Sequence, residues 1–443
     1  MAKWVLALLC APLGAQTPAD WKAVLDRLDR LERENRDLRE QVRSLRDRIS
    51  PPAEAAASEL PQPSLEERMA VQEQRTAEQA ETKVEAAQRF PIRLSGMILF
   101  NSFYATRNSN GQDIVLAASP APGRNTAGGT FRQSVLGLEY HGPATLWGGH
   151  ISSSVFLDFF TTAGDGYSVA RVRTANIALD WKSRSLTVGL EKPIFNPRDP
   201  TSLAQVGISP LTGAGNLWRW QPQIRFEQRV NFGKATQLRA QAGLLQTSEG
   251  AGYAAAYLPP SLEPRRPGLE GRFELAHRFD ETRRVELAPG FHFSTTHVAG
   301  VSVPSRLVSF DWFANPWWSR LELTGAFFKG ENIAHFGGPG QGFQIYGHRA
   351  APVHATGGWA QLALQAAPRL SFHFMAGVHD DRDSDLHYSP GIGQNRVGAA
   401  NVMFRIAPNV IWSLEAMQAR TDYLLGTGWR LVNRYDMSMA YQF

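Results

Sequence analysis

From Phe90 to the end of the chain apolar and polar residues alternate, and this period of two constrains the fold more than any other feature. In PQIRFEQRVNF, Ile224, Phe226, Val230 and Phe232 share one parity, and Arg225, Glu227, Arg229 and Asn231 the other. The terminal RYDMSMAYQF sets Tyr435, Met437, Met439, Tyr441 and Phe443 against Arg434, Asp436, Ser438, Ala440 and Gln442. In water such a last strand would be a sticky edge. In a closed barrel it seals the sheet.

Sixteen strands are predicted, near 91–106, 131–141, 148–162, 170–182, 185–193, 222–232, 236–247, 267–278, 283–297, 304–314, 318–330, 356–367, 369–380, 396–407, 409–421 and 430–443. Short connections such as SR (183–184), GKA (233–235) and APN (407–409) alternate with long ones at 107–130, 194–221, 248–266, 331–355 and 381–395. Short turns on one rim and long loops on the other are the pattern of a transmembrane barrel of about sixteen antiparallel strands. No run approaches the length of apolar sequence that a spanning helix needs. The mean hydropathy of −0.29 agrees with a barrel, because only alternate residues face lipid.

A charge facing mid-bilayer lipid costs about 2–4 kcal/mol, so the charged parity is assigned to a wet lumen. The candidate lining is Arg225, Arg229, Arg272, Arg278, Arg320, Arg405 and Arg434, faced by Glu227, Glu322 and Asp436 together with Asp158, Asp180, Glu274 and Glu415. Rings of arginine favour anions; the alternative is pairing across adjacent strands to stabilise the wall. One strand resists the pattern. In ARVRTANIALDWK, Arg171 and Arg173 share parity with Ile177, Leu179 and Trp181, which calls for a bulge, a rim position or a subunit contact.

Ahead of Phe90 the character changes. Lys3, the apolar WVLALLCAPLGA and the small Gly14 and Ala15 read as a signal peptide over 1–15. Leu9 before Cys10 argues against a lipidation box, and cleavage after Ala15 removes the chain's one cysteine. Residues 16–50 hold a heptad helix with Trp21, Leu28, Asn35, Val42 and Ile49 at a and Val24, Leu31, Leu38 and Leu45 at d. It reads as a periplasmic coiled coil for self-association whose strand number is open, the alternative being a single helix packed on the body. Residues 51–89 form a Pro/Ala linker and a polar helix opened by the capping box Ser64-x-x-Glu67. Residues 16–89 carry 13 basic and 16 acidic residues, leaving 32 basic against 25 acidic after position 89. The barrel region (90–443) is the basic part, and anions are its expected partners.

Signal peptide, heptad rod and sixteen strands together resemble the DcaP-type trimeric outer-membrane porins, similar in build to the phosphate-selective porins. ARVRTANIALDW followed by LTVGLEKPIF, the stretch NRVGAANVMFRIAPNVIWSLE and the terminal Tyr441-Gln442-Phe443 carry the likeness. The resemblance implies a homotrimer in outer-membrane lipid and passive uptake of small, often anionic solutes.

The connection 194–221, third by count, is long for a loop without structure of its own. An inward fold would bring Arg198, Asp199 and Arg219 to a constriction, with Trp218 and Trp220 packing it to the wall; it could instead cover the mouth or touch a neighbouring subunit. The 11 histidines show no HExxH or other tight metal spacing. HDDRDSD (379–385) reads as a solvated acidic loop, and FGGPGQGF (336–343) lacks the helix that a phosphate cradle needs. Neither a cofactor, a metal nor nucleic acid is expected. GxSxG is absent, so an enzymatic barrel is the weaker alternative; a third is an envelope tether whose rod is the working part.

Overall fold

The computed structural model describes residues 91–443 apart from 110–112, 122, 163–167, 246–266, 299–300, 347–348, 387–390, 425 and 427. The expected signal peptide, coiled coil, linker and polar helix, and the long connection 248–266, therefore lie outside the described residues.

In chain order the strands are β1 (Ile92–Ala105), β2 (Thr126–Thr130), β3 (Val135–Thr145), β4 (Gly149–Thr162), β5 (Ser168–Asp180), β6 (Arg184–Glu191) and β7 (Gln221–Phe232). Then come β8 (Thr236–Leu245), β9 (Gly268–Arg278), β10 (Arg284–Val298), β11 (Val301–Ala314), β12 (Leu321–Glu331), β13 (Phe343–Tyr346) and β14 (Arg349–Pro352). The last five are β15 (His354–Ala367), β16 (Leu370–Asp381), β17 (Ile392–Ala407), β18 (Val410–Tyr423) and β19 (Gly428–Gln442). β13 and β14 pair only with each other, as a hairpin in the loop after β12; the remaining 17 strands form one antiparallel sheet. β2 and β3 share one position beside β1, so the wall has sixteen staves, each matching one expected from alternation.

β1 pairs with β19 from Met97 opposite Gln442 to Ala105 opposite Arg434, which closes the sheet. Gly96 N–H donates to the Phe443 carbonyl at 3.0 Å, and Phe443 N–H donates to the Gly96 carbonyl at 3.1 Å. Closure leaves no open edge, as a hydrocarbon environment requires. The two parities then separate as expected: Ile224, Phe226, Val230 and Phe232 are exposed outward while Gln223 and Glu227 are buried inward. Trp147 and Trp317, 85% and 84% exposed, stand on the short-turn rim as interfacial aromatics do.

Three local departures interrupt the alternation pattern. First, the second stave is broken at 131–134, where Ser134 Oγ accepts the otherwise unpaired Leu99 N–H at 3.0 Å. Second, β5 carries a bulge: Phe156 lies opposite Thr174 and Leu157 opposite Val172, so Arg173 is the extra residue. The bulge turns both Arg171 and Arg173 into the lumen while Val172 and Ile177 stay outside. Third, the β13–β14 hairpin occupies a connection read as irregular, its strands being too short to register as periodic.

Deleting Phe443 removes two backbone hydrogen bonds, each worth about 0.5–1.5 kcal/mol. The truncated barrel should lose its heat-modifiable folded band on gels at a lower temperature than the full chain, and an unchanged transition would count against terminal closure as a determinant of stability.

Candidate functional site: the barrel lumen

The connection from Lys192 to Trp220 folds into the lumen instead of covering the mouth. Most of it is buried, and it reaches staves far from the β6 and β7 that launch it. Asn101 Nδ2 on β1 donates to the Leu203 carbonyl at 2.6 Å. Gln361 Oε1 on β15 accepts from Thr201 N–H at 2.6 Å, Asn401 Nδ2 on β17 donates to the Thr201 carbonyl at 2.9 Å, and Ser202 Oγ donates to Glu415 on β18 at 2.6 Å. Gly215, at φ +96°, sits so close to the backbones of Gly358 and Val378 that any Cβ would collide with them. Around this seat Leu211, Ala214, Trp359, Met375, Val397 and Met417 form a dry cluster, extended by Val115 and Ala118 of the loop after β1. At the base of the loop Phe195 and Leu217 pack with Leu307, Phe328, Ile333 and Phe336 in a second one.

The opposite side of the lumen is ionic. Arg272 has no exposed side-chain surface; it donates through Nε and Nη2 to Asp311 at 2.7 and 2.8 Å and through Nη2 to Glu274 at 2.6 Å. Arg198 of the loop reaches the same carboxylates, Asp311 at 2.7 Å and Glu274 at 3.4 Å, and also Glu286 at 2.5 Å. Arg239 adds a bond to Glu274 and Arg284 one to Glu286, each at 2.6 Å. Four cations thus meet three carboxylates. On β4 and β5, Arg171 and Arg173 share the single buried Asp158 at 2.6 and 2.9 Å, with Trp220 lying 5.2 and 4.9 Å from their guanidinium carbons. Each cluster keeps one positive charge beyond neutrality.

The residues expected to line a pore fall into three groups. Arg225, Glu227, Arg272, Arg434 and Asp436 face the lumen along the strands; Arg434 and Asp436 bind each other at 2.8 and 2.6 Å, and Glu227 accepts from Gln241 at 2.8 Å. Arg225 has no carboxylate within 4 Å among the described residues. Arg229, Arg278, Arg405 and Glu322 keep inward parity but stand near the short-turn rim, where Arg229 bonds the Trp181 carbonyl at 3.1 Å and Arg405 the Pro408 carbonyl at 2.7 Å. Arg320 is not on a strand: it lies in the turn before β12. Of the loop candidates, Arg198 is locked in the ionic network, Asp199 is held by Lys192 and Ser209, and Arg219 is exposed. Trp218 packs against Gly337, and Trp218 and Trp220 meet edge to face at 4.8 Å.

Sequence reading missed Arg239, Glu286 and Asp311, although each stands at lumen parity on its strand. Outside the strands, burial pushes the Asp385 carboxyl up, but the backbone N–H and imidazole of His354 outweigh it and hold the group below its usual range. Among the described residues no group of histidine, cysteine and carboxylate side chains is arranged to hold a metal ion.

The sixteen-stave closed barrel with an inward third loop has counterparts among solved structures. The crystal structure of the outer membrane channel DcaP of Acinetobacter baumannii matches it with a TM-score of 0.67 at 14% identity, over 80% of this chain and 97% of that one. An anion-selective porin from Comamonas acidovorans matches with a TM-score of 0.49 at 12% identity, over 80% and 99%. At these identities the likeness is one of fold. No family model matches the sequence, and no curated relative matches it.

Two substitutions probe the lumen. Asp311→Ala removes the main carboxylate partner of the buried Arg272 and should cost about 3–5 kcal/mol in unfolding experiments, whereas Arg219→Gln, at an exposed position beside the start of β7, should stay within roughly 0.5 kcal/mol. Gly215→Val adds a clash to a left-handed backbone costing about 1–2 kcal/mol; the loop should leave its seat and single-channel conductance should rise. Unchanged conductance would separate the loop from the limiting aperture.

Proposed function

We propose that this chain is an outer-membrane porin through which small hydrophilic solutes diffuse passively, with a preference for anions such as dicarboxylates and phosphate. The observation that carries the reading is a loop laid across a closed barrel beside two arginine clusters in which cations outnumber carboxylates. Sixteen strands enclose room for an aqueous path. One dry cluster fills the lumen against β15–β18 and a second packs against β11, β12 and the start of β15, which directs water and solute toward the arginine clusters on β4–β5 and β8–β11. There the surplus charges of the two arginine clusters, Arg225, which has no carboxylate partner among the described residues, and the exposed Arg219 form an electropositive surface for a passing anion. The DcaP fold supports the outer membrane as the site and lipid as the solvent of the outward parity. The functional unit in this reading is a homotrimer whose periplasmic rods align through Leu28, Leu31, Asn35, Leu38, Val42 and Leu45.

Planar-bilayer recordings test it. The expected result is insertion in steps of three equal conductances and, in a KCl gradient, a reversal potential of the sign that anion preference gives. Cation selectivity would overturn the charge argument, and a sealed barrel the porin itself. A unit charge about 8 Å away in water is worth about 0.5 kcal/mol, favourable to an anion and unfavourable to a cation, so Arg219→Gln and Arg225→Gln should each lower the anion-to-cation permeability ratio about fivefold at low salt.

A further inference from the structure

The outward face of the barrel is apolar almost everywhere, and its exceptions are gathered in one place. Apart from Arg184 at the short-turn rim, the arginines and lysines that point outward from described strand residues are Arg306, Lys329, Arg396 and Arg420. All four stand on β11, β12, β17 and β18 toward the long-loop rim. At the same end, β5, β8 and β9 present Val169, Leu244 and Leu269. A general adaptation to headgroups would place cations all round the barrel, so this cluster marks a particular partner.

Two further features define that partner. Arg396 and Arg420 lie directly opposite each other on adjacent strands, an arrangement that repels unless an anion sits between them. Arg420 is flanked by Asp422 at 3.4 Å and by the Trp429 ring at 5.1 Å, whereas neither Arg396 nor Lys329 has a carboxylate within 4 Å among the described residues. Beside these arginines the outer wall is hollowed. Gly358, Ala360, Ala376 and Gly398 floor a groove of about 940 Å³, walled by Trp312 and Phe327. A second hollow of about 640 Å³ continues it past Ala400 and Ala416 to Tyr435. Small residues replace here the leucines and phenylalanines that face lipid on other staves.

We propose that this surface binds a phosphorylated lipid of the outer leaflet, with a phosphate between Arg396 and Arg420 and an acyl chain along the small-residue groove. The inference rests on the outer-membrane reading of the barrel. Guanidinium pairs match phosphate oxygens in charge and geometry, and the groove offers apolar contact below them. A second copy of the chain fits less well. Ring assemblies join unlike faces, and among the described strand residues the only outward carboxylates are Glu331, Asp380 and Asp422, all within this same patch. Among the described strand residues, a neighbouring barrel in a ring would bring no carboxylate to the opposed arginines.

Native mass spectrometry of the detergent-purified full chain tests this, using bisphosphorylated lipid A and its dephosphorylated form as probes. Wild type should hold the phosphorylated lipid at least tenfold more tightly, and the double variant R396Q/R420Q should lose that preference. Gly398→Leu should weaken both lipids by blocking the groove, and it should fold, since a Cβ there meets no atom within 4 Å. Equal retention of the two lipids by wild type, or wild-type preference in both variants, would overturn the proposal. Dissociation of the oligomer in the variants with lipid binding unchanged would also overturn it, assigning the face to a second copy. Conductance of the same preparations is recorded separately: a sealed barrel that keeps the lipid preference would sink the porin reading and leave this one standing.

Discussion

A chain that crosses hydrocarbon as strands must satisfy every backbone N–H and C=O within itself, and the pairing of β1 with β19 is where that condition is met. Once the cylinder is closed, each strand has one face toward lipid and one toward the interior, and the parity of the sequence becomes a map of solvent. The break at 131–134 shows how strict the condition is. Where the second stave leaves the ladder, a serine hydroxyl takes the place of the missing carbonyl. The same break turns Gln133 inward, and its side chain receives the N–H groups of Val206 and Gly207 at 2.6 and 2.8 Å. One interruption thus both repairs the wall and anchors the loop.

The interior divides into a dry side and a charged side, and the loop belongs to both. Its small and apolar residues are buried against β15–β18, while Arg198 is drawn into the carboxylates of β9, β10 and β11. Buried pairs of this kind add little net stability over apolar packing, but losing one partner is costly. Their value to the fold is positional. Because Arg272 bonds both oxygens of Asp311 and Arg198 shares Oδ1 with it, the loop's first turn is fixed relative to the wall. The charges left facing the open lumen are then the few outside these pairs.

How much of this could be read beforehand follows from what alternation encodes. Each of the sixteen expected strands has its counterpart in the barrel, and the sealing role of Phe443 was visible because its parity ran to the last residue. Alternation gives the face of a residue but neither its depth nor its partner. Arg278, Arg320 and Arg405 were therefore counted with Arg272, although the first three stand near the rim and the last is fully buried. Asp311 and Glu286 were passed over because a carboxylate inside an aromatic or apolar stretch (SFDWF, RVELA) does not announce the arginine that will meet it. The bulge at Arg173 left a trace, the clash of parity within one strand, but only the register of β4 against β5 resolves it.

Bonding from the loop to β1, β15, β17 and β18 makes it a cross-brace as well as a partition. An empty cylinder of this girth can ovalise when the surrounding bilayer squeezes it, and its aperture would vary with lateral pressure. Tied across its diameter by side chains that meet backbone at fixed points, this one resists that deformation. The free space of its interior is then set inside the wall, independent of how tightly the surroundings grip the outside.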